Sequence, residues 1–405
     1  MAKSIKSSYY AAMFGLLPKK RIYLDYAAST PLDQEVKRAM LPYFSKHFGN
    51  PGSIHREGRV AAEAIADARE RIARILDAHA NEIIFTASGT EANNLAIYGV
   101  VRASNQASPH IVTTSIEHPS VMEPVRSLEQ GGARVTYLGV DDKGRVRSKE
   151  LRSALTKNTM LVSIMLVNNE IGSIQPLREI MKVIRKHRHE TGGVLPYVHT
   201  DASQAPLFLL LSLEKLGVDL LTLDGQKLYG PKGIGLLYKK RTAHLVPQLM
   251  GGEQEGGLRP GTENTPLIVG MARALELAEM RREHDNRHLS SLQDYFFSSI
   301  VEAIPSAIVN GGTEDRVPNN VNISIPGLES AFMVVWLDAR GIACGSRSAC
   351  TNEKDEPSYV IRAMGNGEKL AGSSLRFTLG RMTTRSDIAR AVGALSDMVR
   401  KLTNT

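Results

Sequence analysis

The sequence predicts an α/β protein, with a large domain built on a mainly parallel sheet flanked by helices and a smaller α+β domain. Three observations carry that expectation. Apolar residues at helical spacing alternate with short apolar runs from about residue 60 to about residue 240, the pattern of strands and crossover helices. After Thr262 the alternation gives way to a helix-rich stretch and a few isolated strands. The 405 residues also exceed the size, about 300 residues, at which a single core stops growing. The expected division is a large domain over residues 33–283 and a small one over 1–32 and 284–405.

Residues 1–24 contain no acid and carry Lys3, Lys6, Lys19, Lys20 and Arg21 around the short apolar patch Ala11–Leu17. The expectation is a short arm on a cytoplasmic protein, with organellar targeting by this basic segment as the alternative. Val60, Ala64, Ile65, Ala68, Ile72, Ile75 and Leu76 recur at three- and four-residue steps and predict an amphipathic helix. Strands are expected at Glu82–Thr86, Ile111–Thr114, Arg134–Tyr137, Met160–Val167, Leu195–His199, Asp219–Leu223 and Gly235–Tyr238. A helical stretch follows over Leu267–Leu292, then strands at Val321–Ile325 and Ser374–Thr378. In a parallel sheet covered on both faces, a site is expected at the carboxyl ends of the strands.

Composition excludes several classes. A charged fraction of 23% and a hydrophobic fraction of 42% are ordinary for a globular protein, and no apolar run approaches a bilayer span. The formal net charge of +8 is scattered without a basic block. The two cysteines, Cys344 and Cys350, suit neither a disulfide framework nor a zinc site, so no metal is expected. A reducing compartment is the natural inference, and the count leaves room for a catalytic thiol.

Lys227 follows a buried strand and precedes the turn Tyr229-Gly230-Pro231-Lys232-Gly233. A lysine so placed can hold pyridoxal phosphate through its ε-amine. That cofactor also needs an anion site, an acid for its pyridine nitrogen and a face for its ring. Thr86-Ala87-Ser88-Gly89-Thr90 follows a strand and opens a helix, whose free N–H groups and dipole suit a phosphate at Gly89 and Thr90. An ordinary helix cap has the same composition. Asp201 closes another strand 26 residues before Lys227 and could pair with the pyridinium nitrogen, while Gln204 could donate to the phenolic oxygen. Read alone, the same pair is a helix cap with a surface glutamine. His118, in Glu117-His118-Pro119-Ser120, could stack on the ring and exchange protons near neutral pH.

These segments lie among a longer ordered set. It includes Tyr23-Leu24-Asp25-Tyr26-Ala27-Ala28, Phe48-Gly49-Asn50-Pro51, Thr90-Glu91-Ala92-Asn93-Asn94 and Val167-Asn168-Asn169-Glu170-Ile171-Gly172. It continues with Arg259-Pro260-Gly261-Thr262-Glu263-Asn264, Ser348-Ala349-Cys350-Thr351, Glu356-Pro357-Ser358-Tyr359-Val360 and Leu375-Arg376-Phe377-Thr378. In these motifs, in order over residues 23 to about 385, the chain resembles the cysteine desulfurases of the class V aminotransferase group, fold-type-I pyridoxal-phosphate enzymes. The resemblance implies conversion of L-cysteine to L-alanine, with a persulfide left on Cys350 and passed to a sulfur-acceptor protein for iron–sulfur clusters or tRNA thiolation. By the same resemblance Lys227 is cofactor anchor and base, Arg376 and Asn169 bind the substrate carboxylate, and Cys344 is structural. It further implies a homodimer in which Thr262 reaches the neighbouring cofactor phosphate.

The chain departs from the family beside Lys227. Where the family has Ser-Gly-His or Ser-Ser-His before the lysine, this sequence has Asp224-Gly225-Gln226. Gln226 keeps a neutral donor for the phosphate. Asp224 either points away, pairs with a base, or lowers cofactor affinity, because two anions side by side repel. Arg347 stands where the family has Gly, and could favour the Cys350 thiolate or stiffen its loop. Two further readings follow: a selenocysteine lyase or other class V lyase or transaminase, and a degenerate paralogue acting as a scaffold or binding partner.

Overall fold

The computed structural model describes residues 21–104, 106–346 and 356–403. Cys350 and Arg347 lie outside the described residues, as do residues 1–20. The chain divides into two compact units. The larger takes Ser29–Asn169 and Ser173–His284; the smaller takes Glu170–Gly172 with the described residues before Ser29 and after His284.

The larger unit is built on a seven-stranded sheet. Its strands are β1 (Ile83–Thr86), β2 (His110–Thr114), β3 (Arg134–Leu138), β4 (Thr159–Ser163), β5 (Tyr197–Asp201), β6 (Leu220–Asp224) and β7 (Gly235–Lys239). They lie in the order β1-β7-β6-β5-β4-β2-β3. The pairs from β6 through β3 are parallel, and β7 runs antiparallel to both β6 and β1. Reversing direction twice brings the carboxyl end of β1 to the same edge as those of β2, β4, β5 and β6. Every residue of β2, β4, β5 and β6 is buried, as expected of strands covered on both faces. Arg134 and Tyr137 of β3 are exposed, which fits an edge strand.

The helices that matter here are α1 (Arg56–Leu76), α2 (Gly89–Ala103), α3 (Pro119–Gln130), α4 (Leu177–Thr191) and α5 (Thr265–Ala303). The helix read from Val60 to Leu76 is α1; it ends where Asp77 turns left-handed, with φ 53°. Small residues on α2 (Ala92, Ala96) sit among Ile84, Ile111, Leu161 and Leu220 of the sheet in one core cluster. Each fully buried aliphatic side chain there contributes roughly 1.5–3 kcal/mol.

Three elements differ in their bounds from the sequence reading. The strand expected over Met160–Val167 ends at Ser163, although Ile164 and Leu166 still donate to the His199 and Asp201 carbonyls of β5 (3.0 and 2.9 Å), and on its other edge the Met165 N–H goes to the Glu117 carboxyl (2.9 Å). The strand expected at Leu195–His199 begins at Tyr197 and ends at Asp201; Pro196, which precedes it, has no N–H to give to a ladder. The helix expected over Leu267–Leu292 is longer, and Thr265–Ala303 forms one continuous helix.

In the smaller unit, β8 (Ile308–Val309), β9 (Asn320–Ser324) and β10 (Ser374–Thr378) form an antiparallel sheet in the order β10-β9-β8. Ile22–Tyr23 pairs in parallel with Ile342–Ala343. The Phe296 and Phe377 rings meet in its core with centroids 5.0 Å apart. Among the described residues no helix is long and apolar enough to cross a membrane.

One contact ties the large sheet to the start of α2. A Cβ on Gly235, the first residue of β7, would lie 2.4 Å from the Ser88 carbonyl carbon and 2.7 Å from the Gly89 nitrogen. Gly235→Ala is therefore expected to cost about 1–3 kcal/mol of unfolding free energy through overpacking. Urea denaturation checks it; unchanged stability would show that the α2 start yields freely.

Candidate active site

The candidate site is assembled at the shared strand edge of the larger unit. Ser88 caps α2 and accepts the Glu91 N–H at 3.1 Å, so the helix begins directly after β1. The Gly89 backbone then faces the end of β6. A Cβ there would lie 3.1 Å from the Asp224 Cβ and 3.3 Å from the Ser203 Oγ, so a glycine is needed for this close approach. Asp224 caps the short turn Gly225–Lys227, and its carboxylate accepts the Gln226 N–H and the Gln226 side-chain amide, both at 3.2 Å. Its Oδ2 also accepts the Gly89 N–H at 3.4 Å.

Asp224 is buried, and burial pushes its carboxyl above the usual carboxylate range despite the Lys227 ammonium and the donors around it. Its carboxylate is thus directed at the Gly89 N–H, at the start of α2. Lys227, the last residue of this turn, is half-buried and lies within electrostatic reach of Asp224. Thr90 is exposed in the first turn of α2.

Asp201 ends β5. One carboxylate oxygen accepts the Ser203 N–H at 2.9 Å and the other accepts the Asn93 side-chain amide at 2.7 Å. The same Asn93 amide donates to Ser120 Oγ at 2.8 Å, and Ser120 Oγ lies 2.8 Å from His118 Nδ1. His118 caps α3, its Nδ1 accepting the Ser120 N–H at 3.1 Å. An accepting Nδ1 leaves the neutral ring its proton on Nε2. One hydrogen-bonded chain thus joins Asp201 to His118, while the Asn93 Oδ1 within it is buried without a hydrogen bond. Gln204 is half-buried in the turn after Asp201, which the Ala205 N–H closes on Ala202 O at 2.9 Å.

Beneath this chain lies a polar ladder. The His199 ring touches Ser163 Oγ on β4 at 2.8 Å and Thr222 Oγ1 on β6 at 3.1 Å. Complete burial lowers the His199 pKa to about 4, against the pull of Asp201, so the imidazole is neutral at pH 7. Glu117 is also fully buried; burial raises its pKa to about 8, opposed by the Met165 N–H and the Thr114 hydroxyl (2.7 Å). Asn169 is buried in the segment that follows β4.

Thr262 is exposed on a loop pinned by Glu255, which accepts both Arg69 nitrogens (2.8 and 2.7 Å) and the Phe85 N–H (3.0 Å). It lines a cavity of about 360 Å³ with Tyr43, His47, Phe48 and Asn50.

In the smaller unit Arg376 sits on β10, buried to 1% exposure, and pairs with Asp25 at 2.7 Å. Arg376 and Gly345 exchange backbone hydrogen bonds (3.0 and 2.7 Å). A side chain on Gly345 would meet the guanidinium at 2.9 Å. The Cys344 thiol is buried nearby, and burial together with the Asp25 carboxylate pushes its pKa well up.

The sequence reading missed Asn93, Ser120 and His199. Asn93 carried a signal: it stands four residues after Gly89, on the stripe of α2 that also buries Ala96 and Val100. A polar residue on a buried stripe needs a partner.

The profile of the family described as Aminotransferase class-V matches residues 22–391. The chain belongs to the class-V aminotransferase family. It is 42% identical over 384 residues to the cysteine desulfurase IscS of Dictyoglomus turgidum, covering 95% of this chain and 96% of that protein. It is 44% identical to the IscS of Rickettsia akari, over 94% and 92% of the two chains. Among solved structures, a NifS-like protein superposes with a TM-score of 0.87 at 32% identity, over 94% of this chain and 100% of its own. The family depends on pyridoxal phosphate.

The residues at the strand edge fit that group. A helix N-terminus with a buried glycine suits the phosphate, a buried carboxylate held at Asp201 suits a cationic ring nitrogen, and Lys227 offers the amine.

Glu117 yields a pH test. A carboxyl whose folded pKa lies above its unfolded value binds the extra proton only when folded, so stability falls as pH rises from about 4.5 to about 8. Glu117→Gln should remove that loss. The stability difference, variant minus wild type in urea, is expected to grow between pH 5 and pH 8 by on the order of a few kcal/mol. A difference constant over that range would show Glu117 ionised throughout.

Proposed function

We infer that this protein is a cysteine desulfurase that converts L-cysteine to L-alanine and leaves the sulfur as a persulfide. The observation that carries the reading is the meeting of Gly89, Asp201, His118 and Lys227 at one strand edge, in a chain 42% identical to a cysteine desulfurase over nearly its whole length. The resemblance of one solved relative supports the substrate class: SspA in complex with cysteine superposes with a TM-score of 0.78 at 35% identity, over 89% of this chain and 99% of that one.

In this reading Gly89, Thr90 and Gln226 hold the cofactor phosphate, Asp201 the ring nitrogen, Gln204 the phenolic oxygen, and His118 covers the ring. When bound, pyridoxal phosphate supplies an electron sink for charge that develops at the substrate Cα. Lys227 anchors the cofactor and removes the Cα proton. Arg376 binds the substrate carboxylate through its planar fork, with Asn169 as a second donor. The Cys350 thiolate attacks the substrate sulfur; the carbon–sulfur bond breaks as the sulfur–sulfur bond forms, and a proton completes alanine. A sulfur-acceptor protein then takes the terminal sulfur toward iron–sulfur clusters or tRNA thiolation. The proposal divides the work between a cofactor-binding domain over residues 33–283 and a domain over 1–32 and 284–405 that supplies Arg376 and the Cys350 loop. It also includes a cytoplasmic homodimer, in which Thr262 completes the neighbouring phosphate site. The cavity beside exposed Thr262 supports that last element.

The purified chain should release sulfide from cysteine under reductant, and Cys350→Ala should abolish the release while keeping the cofactor's visible absorption band. Arg376→Lys should raise KM for cysteine by about 10–100-fold, because an ammonium cannot replace the bidentate fork. Full sulfide release by Cys350→Ala would remove that residue from the mechanism. Turnover of selenocysteine but not cysteine would select the lyase alternative, and no band in the wild type or in any phosphate-site variant would select the scaffold one.

A further inference from the structure

The phosphate site of this chain already contains an anion of its own. The Gly89 N–H, at the start of α2, is the group a bound phosphate would use, and Asp224 Oδ2 accepts it at 3.4 Å. Three contacts hold the carboxylate there: the Gln226 N–H, the Gln226 side-chain amide and Gly89 itself. Gln226 is thus committed to Asp224, although the site reading gives it to the phosphate. Ser203 Oγ and the Asp224 carboxylate press on the same glycine, within 3.3 Å of where a Cβ would stand, so little space remains between them.

We propose that Asp224 is a resident competitor in the phosphate cradle: its carboxylate holds Gly89 and Gln226 until the cofactor arrives, and the phosphate enters by taking those donors from it. This rests on the reading of the strand edge as a pyridoxal-phosphate site. Asp224 is anchored at the end of β6 and is buried, so its charge cannot move far from an incoming phosphate. A dianion beside a carboxylate at this range costs a large Coulomb energy at low dielectric. Neutralising the carboxyl by one proton from solvent removes that cost, and burial has already moved Asp224 in that direction. Of the groups that face it, Lys227 on its own turn is the charged one and opposes protonation; Gly89 on α2, Ser203 after β5 and Gln226 do not titrate at neutral pH. Phosphate binding therefore takes up a proton at Asp224, and the chain's preference for a phosphorylated over an unphosphorylated pyridoxal strengthens as pH falls.

The experiment strips the full-length protein of cofactor and titrates it with pyridoxal phosphate and, separately, with pyridoxal, following the visible absorption band from pH 6.5 to 8.5. The ratio of the two affinities isolates the phosphate and cancels effects on the aldehyde. Asp224→Ser and Asp224→Asn, the second close in shape and able to cap the same turn, are compared with wild type. At pH 8 both variants should show a ratio at least about tenfold higher than wild type, and the gap should narrow as pH falls. Equal ratios in all three proteins, or a gap independent of pH, would overturn the proposal while leaving the cofactor reading intact. A band in the variants but not in wild type would support it in its strongest form. No band with either aldehyde in any of the three would overturn the cofactor reading, and this proposal with it.

Discussion

A sheet covered on both faces excludes water, so a polar side chain within it is costly unless it finds a partner on a neighbouring strand, and of those on the central strands Thr113 and Thr200 leave their hydroxyls without one. The central strands of this protein carry an unusual load of such residues. His199 is matched by Ser163 and Thr222 across β4, β5 and β6, and His110 by Thr159 and Thr136 (2.8 and 2.9 Å) across β4, β2 and β3. The cost of charge in this environment decides protonation: His199 is neutral and Glu117 keeps its proton near pH 7. Asp201 lies at the rim of the same layer. With one oxygen on Asn93 and the other on a backbone N–H, the carboxylate is satisfied without a cationic side chain among the donors described. That arrangement leaves its charge available to a cationic ligand.

The second constraint is close backbone approach. The double reversal through β7 places the β1 end beside the β6 end, and Gly89, Gly225 and Gly235 let three backbone segments pack where side chains would not fit. A Cβ on Gly225 would lie 2.8 Å from the Pro231 carbonyl oxygen and 2.7 Å from Ile234. The same tightness explains why a single change of residue type at position 224 matters. In an open loop an aspartate would turn to solvent; here its cap geometry and the neighbouring glycine direct it onto the helix N-terminus.

Much of this was legible in the sequence because it rests on local pattern. Alternating strands and helices announce the sheet, and a lysine after a buried strand, an acid closing another and a small-residue helix start mark the strand edge at which these residues lie. What was not legible depends on contacts between distant segments. Nothing near Ser163 indicates that Glu117 would capture the Met165 N–H beyond the end of the strand. Asn93 could be read as a helix residue, but its bridge from Asp201 to Ser120 joins three segments more than twenty residues apart in sequence. For Asp224 the sequence left three outcomes open, because a carboxylate's direction is set by turn geometry and not by residue type.

The two cysteines show how environment assigns chemistry to one residue type. A thiol reacts as its thiolate, and a low dielectric with a carboxylate nearby suppresses that form. Cys344 has both conditions, with Asp25 close by, while the guanidinium that would favour its anion is already paired to that aspartate. Asp25 thus serves two ends: it orients Arg376 on a buried strand, and with burial it holds Cys344 as an inert thiol. An arginine so prepared loses little freedom when a carboxylate arrives, which is the condition for a binding clamp.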